Sequence, residues 1–476
     1  MKRYTIIGTT VLILALITVS ITTATAISCT CGDICVNETG WWRDSGAFHA
    51  NATPIQAAAD NATAGEIICV KAGDYNEAIS IETAHLTLAG EGADVVNVTS
   101  VGPDDHVFEV AADYVNISGF NVTGTTKNFG IYLNGADHCI VSDNAASNNK
   151  YRGIYLDSSS SNRLLNNTAS KNDCGIELWS SSNNILKGNT ANLNYYDGIY
   201  LDSSSNNTLL NNTVSKNDCG IELWSSSNNI LKGNTANLNY YDGIYLDSSS
   251  NNTLLNNTAS KNDYGIELWS SSNNILKGNT ANLNYYDGIY LDSSSNNTLP
   301  NNTASKNDYG IELNDSSNNT LTGSTASGNH DGINLYDSSD NLIYNNYWDN
   351  TNNAYDDGSN RWNITTITAE PNIIGGPSIG GNYWSDYNGT DTDGDGLGEE
   401  TYNIGSGNFD YHPLCPPSVK GDLNGDGILT PADAAIALHL VATGAHDDAT
   451  DVSGDGQVTS LDALMILQAA AGMVEL

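Results

Sequence analysis

The feature that most constrains the fold is a segment repeated letter for letter in the middle of the chain. The stretch GIELWSSSNNILKGN begins at Gly175, Gly220 and Gly265. Each copy is followed by GIYLDSSSNNT, which begins at Gly198, Gly243 and Gly288. Self-similarity at a fixed period of roughly 20 to 50 residues indicates a repeat architecture, in which each unit stacks on the next.

Alignment on the tetrapeptide GIxL extends the repeat over a longer part of the chain. The tetrapeptides, spaced 22 or 23 residues apart, begin at Gly130, Gly153, Gly175, Gly198, Gly220, Gly243, Gly265, Gly288, Gly310 and Gly332. Each unit contains short alternating triplets such as Ile176-Glu177-Leu178, separated by Ser, Asn and Gly. This pattern predicts short strands joined by turns and does not fit a helix.

One unit cannot bury its apolar side alone, but stacked units can. Stacking places Ile176 on Ile199 and forms a dry interior. We therefore predict an all-β fold, a parallel β-helix solenoid that rises about 4.8 Å per coil. Asn pairs such as Asn183-Asn184 are expected at the bends, because Asn tolerates left-handed backbone and stacked Asn side chains can form a hydrogen-bonded ladder.

The ends of such a solenoid need protection from edge-to-edge pairing. Thr53 at an N-cap and Pro54 at the first helical position predict a short helix over the first coil. Strand-like segments at 66–70, 79–88 and 107–122 predict less regular turns after it. The far end carries a group of bulky aromatic residues that predict an irregular cap: Trp348, Trp362, Tyr383 and Trp384.

Residues 54–390 carry a family resemblance. TPIQAAADNATAGEIICVKAGDYNEAISI, the GIYL-type coils, NNAYDDGSNRW and GGNYWSDY resemble the NosD-type and carbohydrate-binding/sugar-hydrolase β-helix proteins of archaeal surfaces, which are pectate-lyase-like in fold. The resemblance implies a right-handed β-helix and a polysaccharide partner.

The N-terminus predicts export. Lys2 and Arg3 precede an apolar run at 6–21 and the small-x-small site Ala24-Thr25-Ala26, which together indicate a signal peptide at 1–26. A single membrane anchor is the alternative. Because the sequence has no second long apolar run, we expect an extracellular or cell-surface protein without membrane insertion after signal removal.

The predicted domains follow from these patterns. After the signal, a Cys-containing segment occupies 27–53, the β-helix with its two caps 54–415, a Pro-rich linker 416–419 and a second module 420–476. Cys29, Cys31 and Cys35 could bridge to one another, to Cys69 or to a partner. Cys174 and Cys219 lie two coils apart, roughly 10 Å, which is too far for a disulfide.

The formal net charge of −38 excludes a nucleic-acid footprint, because phosphate binding requires clustered Lys and Arg. An acidic excess of this size is consistent with solubility in salt or with calcium binding. Asn-x-Ser/Thr sequons, expected on an exported glycoprotein but also generated by an Asn- and Thr-rich repeat, occur at Asn37, Asn51, Asn61, Asn116, Asn206, Asn251, Asn318 and Asn388.

After the linker, two twelve-residue loops have the oxygen-ligand spacing that calcium requires, with a Gly at the sharp turn. The ligands predicted in the first loop are Asp422, Asn424, Asp426, Ile428 through its carbonyl, Thr430 and Asp433. Those of the second are Asp451, Ser453, Asp455, Gln457 through its carbonyl, Thr459 and Asp462. Each loop precedes a predicted amphipathic helix, so Ca²⁺ is the expected cofactor.

Two loop-plus-helix units without an entering helix resemble a type I dockerin. The resemblance implies a cohesin-domain partner, chosen by positions 10 and 11 of each loop. Those positions hold Pro431-Ala432 and Ser460-Leu461. Because the two pairs differ, we do not expect a dual binding mode. A calcium module that only stabilises the tail is the alternative.

A third acidic run contains half of a calcium loop. Asp391, Asp393 and Asp395 occupy the first ligand positions, but position 12 is Tyr402, so Glu399 or Glu400 must substitute. A solvated acidic turn is the alternative.

One predicted face of the solenoid alternates aromatic rings with carboxylates. Its candidate glycan-binding residues are Tyr155, Trp179, Tyr200, Trp224, Tyr245 and Trp269. Aromatic faces stack on sugars, and the two-coil period is roughly 10 Å. The alternative is a solvated face copied by internal duplication.

Catalysis has weaker support in the sequence. Hydrolysis needs one pair of carboxylates with separated acidities, whereas this face repeats the same carboxylates in many coils. Asp157 with Glu177, and Asp202 with Glu222, are the carboxylate pairs that could meet the distance. A lyase would need a base among Lys150, Arg152 and Arg163, which we expect close together across neighbouring coils. The weak catalytic candidates are Arg152 and Glu177. We therefore favour a β-helix that binds or displays polysaccharide and docks onto a cohesin-bearing assembly. A polysaccharide lyase or glycoside hydrolase is the alternative.

Overall fold

The structure is a computed structural model that describes residues 31–44, 46–102, 105–125, 127–416, 420–424, 429–445, 450–474 and 476. The predicted signal peptide, Cys29 and the predicted ligands Asp426 and Ile428 lie outside these ranges. No helix within them is long and apolar enough to cross a membrane.

Stacked coils form a solenoid with three parallel β-sheets along its sides, as the repeat predicts. The first sheet begins with a short antiparallel hairpin and then takes one strand from each coil. Its strands, in spatial order, are His49–Ala50, Gly40–Arg43, Ile34–Asn37, Ile67–Val70, Thr87–Gly90, Asn116–Ser118, Ile140–Ser142, Arg163–Leu165, Ile185–Lys187, Thr208–Leu210, Ile230–Lys232, Thr253–Leu255, Ile275–Lys277, Thr298–Pro300, Thr320–Thr322 and Leu342–Tyr344.

The second sheet, here called the GIxL sheet, contains the repeated tetrapeptide. Ile176 pairs with Ile199 and Leu178 with Leu201, which confirms the predicted register. Its strands are Ile79–Ile81, Phe108–Val110, Ile131–Asn134, Arg152–Asp157, Cys174–Trp179, Asp197–Asp202, Cys219–Trp224, Asp242–Asp247, Tyr264–Trp269, Asp287–Asp292, Tyr309–Asn314, Asp331–Tyr336 and Asn352–Asp356.

The third side is built from shorter strands linked by single bridges at Thr168, Thr258, Thr280 and Thr303. Its strands are Gly73–Asn76, Val96–Thr99, Asn121–Thr123, Ala145–Ala146, Thr190–Asn192, Thr213–Ser215, Thr235–Asn237, Thr325–Ser327, Tyr347–Asp349 and Tyr383–Trp384. A separate antiparallel hairpin consists of Tyr402–Gly405 and Asn408–Asp410.

The interior is a column of aliphatic side chains contributed by all three sides. In one coil Ile176, Leu178, Leu186 and Ala191 are fully buried. The Gly of each GIxL strand allows adjacent coils to approach closely: a Cβ atom on Gly198 would lie 2.7 Å from the carbonyl oxygen of the next coil's Gly. The repeated Gly is therefore a packing requirement of the stack.

Asn ladders run along the corners and satisfy buried backbone groups. In the Asn183-Asn184 pair the first residue has φ 61° and the second is buried. The backbone N–H of Asn184 donates to Asn207 Oδ1 at 2.7 Å, and Asn184 Nδ2 donates to the Ser159 carbonyl at 3.1 Å. The left-handed bend and the ladder are both as predicted from the Asn pairs.

The N-terminal cap is the helix Pro54–Asn61, in the predicted place. Thr53 precedes it, but its side chain makes no capping hydrogen bond, which corrects that part of the prediction. Buried Glu77 caps the helix instead, accepting from the backbone N–H groups of Ile55 and Gln56 at 3.1 and 2.8 Å. Cys31 and Cys69 form a disulfide in the same region.

The C-terminal cap of the solenoid packs three buried indoles. Trp362 Nε1 donates to Asp356 at 2.8 Å, and Trp384 Nε1 donates to Asp410 at 3.0 Å. Trp348 is fully buried beside Trp384. Bulky aromatic rings close this end, as the sequence predicts.

The second module contains the helices Pro431–Thr443 and Ser460–Ala470. Thr430 and Thr459 cap them in matching capping boxes with Asp433 and Asp462. The two helices pack through a small core of Ala434, Ala437, Val452, Ala463 and Ile466.

Candidate functional sites

The six predicted glycan-binding residues all lie on the outer face of the GIxL sheet, in two columns. Trp179, Trp224 and Trp269 form the outer column, and each is 45% exposed. Tyr155, Tyr200 and Tyr245 form the inner column and are half-buried. The hydroxyl of Tyr200 donates to Asp202 at 3.4 Å, so this ring is held by its own coil.

The structure adds a second aromatic row, here called the tyrosine corner, which the sequence analysis missed. It consists of the Tyr pairs just before alternate GIxL strands: Tyr195-Tyr196, Tyr240-Tyr241 and Tyr285-Tyr286. Within each pair the rings meet edge to face, with centroids 4.6 to 4.7 Å apart. The first ring of each pair is 65 to 70% exposed. The repeated dipeptide YY was the available signal.

Open grooves separate successive Tyr pairs. The groove between Tyr240 and Tyr285 has a volume of about 820 Å³, and its walls also include Lys261, Asp263 and Leu283. A groove of about 640 Å³ between Tyr195 and Tyr240 repeats the same arrangement two coils earlier. Each groove therefore combines exposed rings with an amine and a carboxylate on a floor of Asn amides.

The two weak catalytic candidates are bound to each other. Arg152 Nε and Nη2 donate to the two carboxylate oxygens of Glu177 at 2.6 and 3.0 Å, and the Glu177 side chain is buried. The guanidinium also lies over the rings of Phe129 and Tyr155. Of the other candidate bases, Lys150 pairs with Asp173 at 3.2 Å.

The predicted cluster of three cations is not assembled as expected. Arg163 lies on the first sheet, whereas Arg152 lies on the GIxL sheet. Closeness in sequence did not bring these side chains to one face, because a corner of the coil separates them. The Arg152–Glu177 pair is a stacked, mutually neutralised ion pair.

Farther along the sheet, an Asp takes the place of Arg152, so that carboxyls face carboxyls. Asp197 contacts Glu222, and Asp242 contacts Glu267. Burial, and then the facing Glu carboxylate, raise the pKa of Asp197 and of Asp242 well above its ordinary value. In each pair, simultaneous ionisation of both carboxyls is therefore disfavoured.

The same column ends in a third acid pair. Burial and the neighbouring Glu312 and Glu267 carboxylates raise the pKa of Asp287 to about 8. Burial raises the pKa of Glu312 to about 7. The sequence analysis considered Asp202 as a partner for Glu222, but the residue that Glu222 contacts is Asp197.

One acid pair includes a thiol. Ligand atoms of Asp197, Cys219 and Glu222 all lie within 4.8 Å of one another. Cys219 Sγ also lies 3.6 Å from Asp242 Oδ2. Cys174 and Cys219 are both free, as their two-coil separation predicts.

The second predicted calcium loop is folded around its own carboxylates. Asp451 accepts from the backbone N–H groups of Gly454, Asp455 and Gly456 at 2.8, 3.1 and 2.6 Å. Asp462 accepts from Ser453 N at 3.0 Å. Burial opposes ionisation, but these hydrogen bonds keep the pKa of both Asp451 and Asp462 below its ordinary value.

The described part of the first loop matches the second. Asp433 accepts from the backbone of Leu423 and Asn424 at 3.0 and 3.2 Å and from Thr430 N at 2.8 Å. Burial opposes ionisation, but these bonds lower the pKa of Asp433. Asp422 lies in the same described segment. The lowered pKa of the carboxylate at position 12 in both loops favours its ionised form, which a calcium ligand requires.

The predicted cohesin contacts Pro431, Ala432, Ser460 and Leu461 are all exposed. Three further exposed leucines, which the sequence analysis did not select, lie on the same two helices: Leu438, Leu464 and Leu467. The spacing of Leu464 and Leu467 from Leu461 (i+3 and i+6) was the available signal for these two.

The third acidic run forms a compact turn. Ligand atoms of Asp391, Asp393 and Asp395 lie within 4.8 Å of one another. Asp391 accepts from the backbone of Gly394 and Gly396 at 2.7 and 2.8 Å. Glu399 accepts from Thr392 and so lies close to this turn, as its predicted substitute role requires. Calcium at this turn stays a prediction.

Comparison with known families agrees with this architecture. Residues 220–389 match the family model described as periplasmic copper-binding protein (NosD). Residues 106–258 match the right handed beta helix region, and residues 420–469 match the dockerin type I domain. The comparison with curated proteins gives no match. The chain is a right-handed parallel β-helix protein with a C-terminal type I dockerin.

Solved structures that are similar to this chain include two modules from Azotobacter vinelandii. The A-module of mannuronan C-5 epimerase AlgE6 is 16% identical, with a TM-score of 0.53, over 64% of this chain and 94% of that chain. The A-module of mannuronan C-5 epimerase AlgE4 is 16% identical, with a TM-score of 0.46, over 64% of this chain and 92% of that chain. At this identity the likeness to the AlgE6 module shows the fold alone.

Proposed function

We propose that this protein is an exported, noncatalytic rod that binds polysaccharide along its repeated coils and attaches through its dockerin to a cohesin-bearing assembly. The observation that carries the proposal is the tyrosine corner, where exposed rings recur every two coils beside open grooves. Sites for small ligands commonly combine aromatic walls with a few polar groups that fix orientation.

The period of the grooves supports a linear polymer as the ligand. Two coils correspond to roughly 10 Å, close to the length of a disaccharide. A chain lying along the axis would therefore present equivalent sugars to Tyr195, Tyr240 and Tyr285. Repeated weak sites on one polymer raise the overall affinity, because each later contact is intramolecular.

The carboxyl groups support binding over hydrolysis. A glycosidase needs two carboxyls roughly 5 to 10 Å apart on either side of the bond. Here a carboxylate oxygen of Asp197 lies within 4.8 Å of a carboxylate oxygen of Glu222. The remaining catalytic candidates, Arg152 and Glu177, neutralise each other.

Affinity electrophoresis and calorimetry on pectin, alginate and neutral glucans test the binding proposal. The variant Tyr195→Ala/Tyr240→Ala/Tyr285→Ala should weaken binding at least about tenfold, because each ring contributes about 1 kcal/mol. Tyr411→Ala, which removes a ring that is exposed outside the grooves, is the matched control and should bind normally.

A comparison triple, Trp179→Ala/Trp224→Ala/Trp269→Ala, measures the contribution of the outer column. Absence of retention on every polysaccharide, or equal binding by the tyrosine triple and the wild type, contradicts the proposal. Reducing ends or unsaturated products that disappear in Arg152→Ala or Glu177→Ala would favour the lyase or hydrolase alternative.

The dockerin part is tested with calcium. Titration calorimetry should show about two sites in the dockerin loops, and Asp422→Ala with Asp451→Ala should abolish them. Capture of a cohesin by the full chain should be lost in chelator. Capture should also be lost in Leu464→Asp, which keeps the calcium loops intact. Unchanged calcium binding in the double variant would contradict the assignment of these ligands.

A further inference from the structure

The column of outward residues that begins each GIxL strand changes its chemistry along the rod. Arg152 occupies it at one end and neutralises Glu177. Two coils later Asp197 occupies the equivalent place beside Glu222, so the second Glu faces an acid and not a guanidinium. In the part of the chain that the structure describes, no Lys or Arg forms an ion pair with Asp197, Glu222 or Asp242.

The thiol of Cys219 lies within this group of acids. Its strand pairs in register with that of Asp197, and its sulfur lies within 4.8 Å of the ligand oxygens of Asp197 and Glu222. On its other side, Sγ is 3.6 Å from Asp242 Oδ2. That separation matches two ligands of one tetrahedral ion, with a metal–sulfur bond of about 2.3 Å and a metal–oxygen bond of about 2.0 Å.

Asp242 supplies an independent observation. It is only 8% exposed, and its second oxygen, Oδ1, is buried without a hydrogen-bond partner. An unsatisfied buried carboxylate oxygen costs about 1 to 3 kcal/mol or more. A cation at the thiol, bound through Oδ2, would neutralise the buried Asp242 carboxylate and would reduce the repulsion among the three carboxylates.

We propose that Asp197, Cys219 and Glu222, with Asp242 beside the thiol, bind one divalent zinc ion on the outer face of the GIxL sheet. One thiolate with carboxylates suits a borderline metal, whereas an all-oxygen set suits calcium or magnesium. Binding releases the thiol proton. This site is independent of the proposed polysaccharide binding and of the dockerin calcium loops.

Two parts of the same column explain why the site is confined to these coils. Cys174, two coils before Cys219, donates to the Ile176 carbonyl at 3.7 Å and lies beside the neutralised Arg152–Glu177 pair. Tyr264 holds the place of Cys219 in the next copy, so that the coil of Glu267 has a phenol there and Asp242 contacts a thiol only on its Cys219 side. The chain thus already contains a Tyr at the position equivalent to Cys219, and this natural replacement suggests the control variant Cys219→Tyr.

Cobalt(II) substitution and zinc competition on the full chain, in excess calcium to fill the dockerin loops, test the proposal. We expect about one bound metal with a thiolate-to-cobalt charge-transfer band. In Cys219→Tyr, a substitution that the fold already accepts at position 264, we expect the band to disappear. Zinc affinity should fall at least about a hundredfold, because even an outer-shell partner is worth ten- to a hundredfold. Asp287→Asn, a change in the third acid pair, should leave the charge-transfer band and the zinc affinity unchanged.

Two results would overturn the proposal. The first is a wild-type chain with no thiolate band and no zinc bound in calcium, which would mean that a proton alone neutralises Asp197 and Glu222. The second is a band that persists in Cys219→Tyr, which would assign the thiolate to Cys139, Cys174 or Cys415. Far-ultraviolet circular dichroism of Cys219→Tyr separates loss of the ligand from loss of the fold.

Discussion

Replacement of one ladder residue, Asn212→Ala, measures how much the Asn ladder contributes to stability. Asn212 Oδ1 accepts from Asn189 N and Nδ2 at 2.9 and 3.0 Å. Its Nδ2 donates to Leu186 O and Asn234 Oδ1 at 2.9 and 3.0 Å. The substitution removes all four bonds at a buried corner.

The loss is estimated bond by bond. Three of the bonds contribute about 1 kcal/mol each. The fourth leaves the backbone N–H of Asn189 buried without an acceptor, which costs about 1 to 3 kcal/mol. We therefore expect the free energy of unfolding to fall by roughly 4 to 6 kcal/mol, measured by guanidinium denaturation of the full chain at fixed calcium.

Two matched variants bracket this value. Asn212→Ser should recover about half of the loss, because Ser324 already occupies the ladder farther along the rod. There its Oγ accepts from Asn302 N at 3.1 Å and donates to Leu299 O at 3.2 Å. Asn211→Gly, next to Asn212 but exposed and at φ 52°, should change stability by less than about 1 kcal/mol. Equal losses in Asn212→Ala and Asn211→Gly would refute the ladder argument.

Three further predictions concern other parts of the stack. Because burial raises the pKa of Asp287 to about 8, its stabilising contribution is complete below about pH 4 and is lost as the pH rises towards 8, by about 1.4 kcal/mol per pH unit. Asp287→Asn should flatten that decline in pH-dependent unfolding, whereas exposed Asp340→Asn should leave it unchanged; equal slopes would contradict the assignment. Arg152→Gln should cost about 3 to 5 kcal/mol by leaving Glu177 buried and unpaired, and Arg152→Met/Glu177→Leu should recover most of it; no recovery would contradict the pairing argument. Gly198→Ala should lower the thermal midpoint by the equivalent of about 1 to 3 kcal/mol, since its Cβ meets a backbone oxygen; an unchanged midpoint would mean that the coils can separate at no cost.

The coil register was predictable from sequence because identity at a fixed period leaves few ways to stack. Ile176 on Ile199, the left-handed Asn183 and the buried Asn184 all follow from the pattern and from the conformational freedom of Asn. The end caps were predictable in kind, from Pro54 at the start of a helix and from the clustered Trp residues. They were not predictable in detail, because Glu77, which caps the helix, is far from it in sequence.

The candidate sites were less predictable, because they depend on which side chains meet across coils. Glu222 meets Asp197 and not Asp202, although both Asp residues lie on the same strand, as its first and sixth residues. Tyr195 becomes exposed because it precedes the strand at a corner, where no alternating pattern applies. The dockerin ligands, in contrast, lie within single loops, so their spacing alone was enough to propose them.

The near-identical copies allow the zinc proposal to be tested by gain of a site. Between the copies that begin at Gly220 and Gly265, the outward column differs through one exchange, Cys219 for Tyr264. Tyr264 pairs in register with Asp242, as Cys219 does with Asp197. Tyr264→Cys should therefore place a thiol among Asp242, Glu267 and Asp287. The number of cobalt ions bound by a thiolate should then rise from about one to about two per chain. The added metal should be lost again when Glu267→Gln is combined with it. If Tyr264→Cys folds normally and still binds one metal, the surrounding carboxylates are not sufficient to make the thiol a ligand, and the geometry assigned to Cys219 is wrong.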